Sequence, residues 1–305
     1  MSSKTQTSGK GNEALVAKEL FDLSGLKAVV TGGGTGIGLM ITQALVANGV
    51  TVYITARRKE VLDTVVEKYS HGPGKIIAAS CDITYKNDVM RLAKEIEKME
   101  PNGIHILVNN AGIARERGTT AFQTGEPNMK DANSISEHLL KATPESWAET
   151  FDTNVTAQYF VSAAFLPLLS KGTANTSGYS SSIINVASIS GMSRASSSGQ
   201  YAYAASKAAF LHLSKMLGTT LSQCKVRVNT ICPGIFPSEM TTDTSDETNK
   251  SFLEDKGRDL PAGRSGDEGD MASAVLYLVG KNSLFTNGQV LYPDGGALLT
   301  SPAAF

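Results

Sequence analysis

Seven short runs rich in Val and Ile, at residues 27–31, 50–55, 75–80, 104–109, 182–187, 225–231 and 289–292, alternate with longer segments of helical period such as 37–47, 61–69 and 88–99. The runs are almost continuously apolar. They lack the in/out alternation of a sheet with one wet face, which implies parallel strands covered on both sides. Strand–helix alternation repeated in this way predicts an α/β fold: a doubly wound, Rossmann-like three-layer sandwich around a seven-stranded parallel sheet. Thr143-Pro144 reads as a helix cap followed by proline at the first helical position, opening one long helix towards Leu169. No repeat or composition break divides the chain, so one domain is expected over 20–305, after a polar tail (1–19) expected to be disordered.

Two segments break the alternation. Residues 115–140 are polar and turn-rich, and 237–264 are acidic, rich in Thr and Ser, and punctuated by Gly and Pro. Connections this long are uncommon in a compact domain and are usually lids or insertions. Both follow the C-terminal ends of strands, the edge at which open α/β sheets bind ligands. For 115–140 a lid and a solvated insertion weigh equally. For 237–264 a mobile lid is the expectation, with Gly257, Pro261 and Gly263 as hinges and Ile235, Phe236, Met240 and Phe252 towards a substrate.

Bulk properties exclude several classes of function. Lys and Arg number 28 against 29 Asp and Glu, so there is no basic field for nucleic acid or for an anionic membrane. Apolar stretches are too short and interrupted to span a bilayer, and the first ten residues lack the apolar core of a signal peptide. Three cysteines (Cys81, Cys224, Cys232) without paired spacing indicate reduced thiols in a cytoplasmic protein. The four histidines show no metal-ligand spacing, so packing or surface roles are expected and no metal site.

The first strand runs into Thr31-Gly32-Gly33-Gly34-Thr35-Gly36-Ile37-Gly38 and then a helix. Five glycines in seven residues would weaken an ordinary turn. They allow the backbone to approach a pyrophosphate held at the helix N-terminus. After the second strand, the position at which NAD-binding folds carry an acidic residue for the ribose holds Ala56, and Arg57 and Arg58 follow. Guanidinium groups there suit a 2′-phosphate, so NADP(H) is the expected cofactor.

Tyr203 and Lys207 stand four residues apart in a helical segment and therefore share a face. A free phenol titrates near about 10, and a neighbouring ammonium favours its phenolate, which brings proton exchange towards neutral pH. Ser188 ends the fifth strand, where its hydroxyl is placed to orient a substrate oxygen. Ser190 competes for that role, whereas Tyr201 has Ala205 four residues on and lacks a lysine partner.

Taken together, TGxxxGxG, the strand-terminal serine and YxxxK resemble the short-chain dehydrogenase/reductase family over about residues 20–298. The resemblance is closest to members acting on 3-oxoacyl chains or other ketones and to gluconate-dehydrogenase-like members. It implies Tyr203 as acid/base, Lys207 on the ribose and the phenolate, Ser188 on the substrate carbonyl and Asn154 on a proton relay. It further implies a cofactor site from Gly32, Thr35, Gly36, Ile37, Gly38, Arg57 and Arg58, then Asp82 and Ile83 at the adenine. Asn110, Ala111 and Gly112 of NNAG complete it, with Pro233, Gly234, Ile235 and Ser238 after the sixth strand. Two departures are visible: Thr35 stands where many NADP-preferring relatives have a basic residue, and Ser188 and Tyr203 are 15 positions apart, slightly more than usual. The expected function is hydride transfer between NADP(H) and a small ketone or secondary alcohol, in a homodimer or homotetramer paired through the helices around 144–169 and 199–221. An alcohol or sugar-acid dehydrogenase and a non-catalytic dinucleotide sensor remain as alternatives.

Overall fold

In the first strand, β1 (Lys27–Thr31), Val29 and Val30 point to opposite faces and both are 0% exposed. A strand apolar at successive positions must be covered twice, which the helices accomplish. The computed structural model describes residues 11–254 and 256–301. Their elements run α1 (Ala17–Leu20), β1, α2 (Gly36–Ala47), β2 (Thr51–Thr55), α3 (Lys59–Tyr69), β3 (Lys75–Ala78), α4 (Lys86–Met99) and β4 (Ile106–Asn109). Then come α5 (Ala132–Leu139), α6 (Pro144–Phe151), α7 (Ala157–Asn175), β5 (Ser182–Val186) and α8 (Tyr201–Leu221). The chain closes with β6 (Arg227–Ile231), α9 (Glu239–Thr242), α10 (Glu268–Val279), β7 (Val290–Leu291) and α11 (Ala297–Thr300).

The strands form one seven-stranded parallel sheet, as expected from the sequence, and its order is β3-β2-β1-β4-β5-β6-β7. The order reverses between β1 and β4, and a crevice opens at such a switch point beyond the strand ends. Val30, Ile54 and Ile184 pack with Leu39, Leu62 and Val275 on one face. Val29, Leu107 and Ile183 pack with Leu92, Val161 and Phe165 on the other. A buried polar ladder ties α7 and α8 to the sheet. Asn109 Nδ2 donates to Ser162 Oγ (2.9 Å) and Asn185 Oδ1 (2.8 Å), and Asn185 Nδ2 donates to Ser214 Oγ (2.8 Å). Among the described residues, no helix is long and apolar enough to cross a membrane.

Several expectations are corrected. The single helix over 144–169 is two helices that continue to Asn175, joined by a π turn at Asp152–Thr156 where the N–H of Ala157 bonds the carbonyl of Asp152. Such turns frequently mark functional sites. The last strand shrinks to two residues, Val290 and Leu291. The tail expectation lies outside the described residues for 1–10, whereas 12–15 form a 3-10 turn ahead of α1. Residues 115–140 are mostly exposed but contain α5, capped by Asp131, and bury Glu116, Thr120 and His138 at 2%, 2% and 4% exposure. Residues 237–264 are held down by Tyr69 Oη donating to the Thr248 carbonyl (2.8 Å) and Asn249 Nδ2 donating to the Val61 carbonyl (3.0 Å). Phe236 joins the core at 2% exposure, and Phe252 stands 70% exposed to solvent. Burial in the core withdraws the Phe236 ring from a substrate, whereas Met240 lines the cleft described below. An Arg117–Asp243 ion pair links the two segments over the strand ends.

Candidate active site

A cleft of about 340 Å³ opens at the switch point. Its floor is the turn from β1 to α2. Gly32 and Gly36 adopt φ of +63° and +51°, which side-chain-bearing residues rarely hold. A Cβ on Gly38 would lie 2.0 Å from the Gly32 carbonyl oxygen, so this crossing of helix and strand admits only glycine. Thr35 precedes α2 and makes no side-chain cap, which leaves the first-turn N–H groups to a ligand. Asn110 braces the loop by donating from Nδ2 to the carbonyls of Thr31 (2.9 Å) and Gly32 (3.1 Å).

Gly32, Thr35, Gly36, Ile37, Gly38, Arg57, Arg58, Asp82, Ile83, Asn110, Ala111, Gly112, Tyr203, Lys207 and Ser238 all line this cleft. Five expected residues do not: Asn154 and Ser188, described below, and Pro233, Gly234 and Ile235. The Pro233 carbonyl accepts from the N–H of Ile189 and the Gly234 N–H donates to Pro293. The Ile235 carbonyl accepts from Gly266, so this stretch is engaged in backbone pairing. The cleft also contains residues that sequence reasoning missed, Thr55, Val61, Thr153 and Glu239 among them. Thr55 lines the cleft, and its buried hydroxyl lacks a hydrogen-bond partner within the protein. A glycine cradle, an uncapped helix start and an orphaned hydroxyl together fit a dinucleotide. Glu239 carries no motif signal. It reaches the cleft because α9 folds over it, and its Oε2 accepts from Arg58 Nη2 at 2.7 Å.

Tyr203 and Lys207 lie on the first turns of α8, one helical turn apart as expected. Lys207 is 4% exposed, and its Nζ donates to the Val186 carbonyl at 3.0 Å and stands 5.8 Å from the Tyr203 ring centre. Burial lowers its pKa to about 8. The Tyr203 pKa is raised, not lowered as expected from the neighbouring ammonium. Burial is the main cause, the Ser188 hydroxyl opposes it, and the Glu116 carboxylate adds to it. The protein alone therefore keeps Tyr203 a neutral phenol, a state suited to giving a proton.

Ser188 lies beside this phenol at 8% exposure and accepts from the N–H of Ser190 at 3.1 Å. Ser190 itself bonds Ser197 Oγ at 2.8 Å, which occupies the hydroxyl that competed for Ser188's place. Asn154 sits in the π turn and is 0% exposed. Its Nδ2 donates to the Ile113 carbonyl and to Ser206 Oγ, both at 2.9 Å, and its Oδ1 accepts from the Ile113 N–H at 2.8 Å. Both amide donors are thus committed within the protein, so the side chain braces the loop after β4 against α8. Ser206 Oγ in turn donates to the Tyr203 carbonyl at 2.7 Å.

A family model described as Enoyl-(Acyl carrier protein) reductase matches residues 32–297. The chain is 41% identical over 300 residues to the short-chain dehydrogenase/reductase PhomF of Diaporthe leptostromiformis, covering 96% of this chain and 98% of that protein. It is 31% identical to the 3-oxoacyl-[acyl-carrier-protein] reductase FabG of Chlamydia pneumoniae, with 90% and 97% covered. Among solved structures it is similar to the Pseudomonas aeruginosa RhlG/NADP active-site complex, at a TM-score of 0.74 and 30% identity over 91% of this chain and 98% of that one.

Proposed function

From the premise that the chain belongs to the short-chain dehydrogenase/reductase family, we propose that it is an NADPH-dependent ketone reductase acting in the cytoplasm as a dimer or tetramer. The observation that carries this reading is a glycine-floored cleft that has Tyr203 and Lys207 in its lining, with Ser188 bonded to the Tyr203 phenol, and that also holds Arg57 and Arg58. The similar RhlG structure is an NADP complex, and the FabG relative is a reductase by name, which supports the cofactor and the direction.

When bound, the nicotinamide supplies the hydride that reaches the carbonyl carbon. Ser188 orients the carbonyl oxygen by hydrogen bonding, and the Tyr203 phenol gives its proton to that oxygen as negative charge develops there. Lys207, charged below about pH 8, would hold the ribose and stabilise the phenolate left behind. Asn154 keeps α8 in register through Ser206. Arg57 and Arg58 are the residues that would fork onto a 2′-phosphate.

Tyr203→Phe is the direct test, read by NADPH oxidation over a panel of ketones. The variant should lose about 10²–10⁴-fold in kcat while binding NADPH as before, since only the proton donor is removed. Retention of more than about a tenth of wild-type kcat, a barrier change under about 1.4 kcal/mol, would rule out Tyr203 as the acid. An unmodified protein that binds NADPH but oxidises it with no ketone would favour the sensor reading.

A further inference from the structure

Glu116 is an acidic residue buried to 2% exposure, outside every motif described above. Its Oε1 accepts the backbone N–H of Tyr203 at 2.7 Å, and its Oε2 accepts the N–H of Arg115 at 3.0 Å. Tyr203 is the third residue of α8, and Gln200 ahead of that helix makes no side-chain cap. A first-turn N–H has no partner inside its own helix, and an anion there is favoured by the helix dipole. A carboxylate 87 residues away in sequence thus performs the capping that the local residues do not.

The surrounding contacts show that the junction is tightly held. Ser197, Ser198 and Gly199, just before α8, have φ of +53°, +56° and +85°, and two of them carry side chains disfavoured in this left-handed region. The segment that bears Glu116 clamps this loop: Thr120 Oγ1 donates to the Gly199 carbonyl at 2.7 Å, and the Phe122 N–H donates to the Ser198 carbonyl at 2.9 Å. A Cβ on Gly199 would lie 2.0 Å from the Thr120 carbonyl oxygen, and the buried His138 of α5 bonds that same oxygen through Nε2 at 2.9 Å. Burying a carboxylate is costly unless charge-assisted bonds compensate it, and both oxygens here have them.

We propose that Glu116 is a positioning residue for Tyr203, capping α8 from the 115–140 segment and setting where the phenol meets Ser188. This rests on Tyr203 being the acid. The segment is then part of the catalytic scaffold and not a lid. The groups facing the phenol are Ser188, Glu116, Cys232 and Lys207. Cys232 is a neutral thiol, pushed up to about 12 by burial, so the carboxylate among them is that of Glu116.

Glu116→Ala and Glu116→Gln, each made in the wild-type and in the Tyr203→Phe background, test this with a ketone that the enzyme reduces. Glu116→Ala should lower kcat at least about tenfold with the KM for NADPH changed less than about twofold, and should cost under about twofold once Tyr203 is Phe. Glu116→Gln keeps an acceptor and removes the charge, so kcat should largely survive while the Tyr203 limb of its pH profile moves to lower pH. Equal losses from Glu116→Ala in both backgrounds would overturn the proposal, as would an unmoved pH profile in Glu116→Gln. Should Glu116→Ala fail to fold, the pH profile of Glu116→Gln decides between the two outcomes. An active Tyr203→Phe would instead overturn the assignment of the acid, a separate failure from an inactive Tyr203→Phe with indifferent Glu116 variants.

Discussion

Glu239→Gln should tighten NADPH binding and leave NADH unchanged. In the structure the Glu239 carboxylate holds Arg58 at 2.7 Å across the cleft mouth, with the two side chains 31% and 53% exposed. A solvent-exposed pair of this kind contributes about 0.2–1 kcal/mol. If the 2′-phosphate is to engage Arg58, it must displace that carboxylate and tolerate its charge. Removing the charge frees the guanidinium, so the gain in NADPH affinity is roughly the worth of the pair, about 1.4- to 5-fold. NADH has no 2′-phosphate and should bind Glu239→Gln as it binds the wild type. Cofactor titration followed by fluorescence, at low salt and again near about 0.5 M, measures both. The gain should shrink at high salt, since screening already weakens the pair there. In an Arg58→Ala background the gain should vanish. Equal tightening of both cofactors, or weaker NADPH binding, would refute the reasoning and make Glu239 a part of the binding wall.

Because burial lowers Lys207 to about 8, its ammonium is present below that pH and lost above it. The kcat/KM for NADPH should therefore fall as pH rises through about 8; a limb near 10.5, the ordinary lysine value, would contradict the burial seen here. His105 accepts the Lys27 N–H at Nδ1 and is lowered by burial, then by Lys27, to about 4 from an ordinary 6.5. The unfolded chain takes up the proton first, so folding stability should be full above pH 6.5 and decline towards pH 4. Urea unfolding of His105→Gln should show a smaller acid loss than wild type, and equal losses would exclude His105 as the cause. Finally, Trp147, Tyr159 and Met216 stay 38%, 47% and 55% exposed on α6, α7 and α8, the helices proposed to pair two copies. Light scattering at micromolar protein should give a dimer or tetramer mass, reduced by Trp147→Glu, and a monomer mass for the wild type would refute that interface.

Periodicity alone determined the architecture. Seven apolar runs with intervening helical segments leave few solutions other than a doubly covered parallel sheet, and the structure has that sheet with seven strands. The glycine spacing of 32–38 and the four-residue step from Tyr203 to Lys207 were equally legible, because each is a local requirement met by neighbouring residues. What tertiary structure alone decided involves partners far apart in the chain. The sign of the Tyr203 shift depends on how deeply α8 is buried, which no spacing reveals. The engagement of Arg58 by Glu239 joins residues 181 positions apart, and the capping of Tyr203 by Glu116 joins residues 87 apart. The π turn that brings Asn154 inward lies where the sequence read one uninterrupted helix. The sequence leaves the role of 115–140 open between a lid and an insertion for the same reason. Polar residues look like solvated surface until the fold supplies each buried donor and acceptor with its mate, and a polar group's free energy depends on that mate rather than on its own identity.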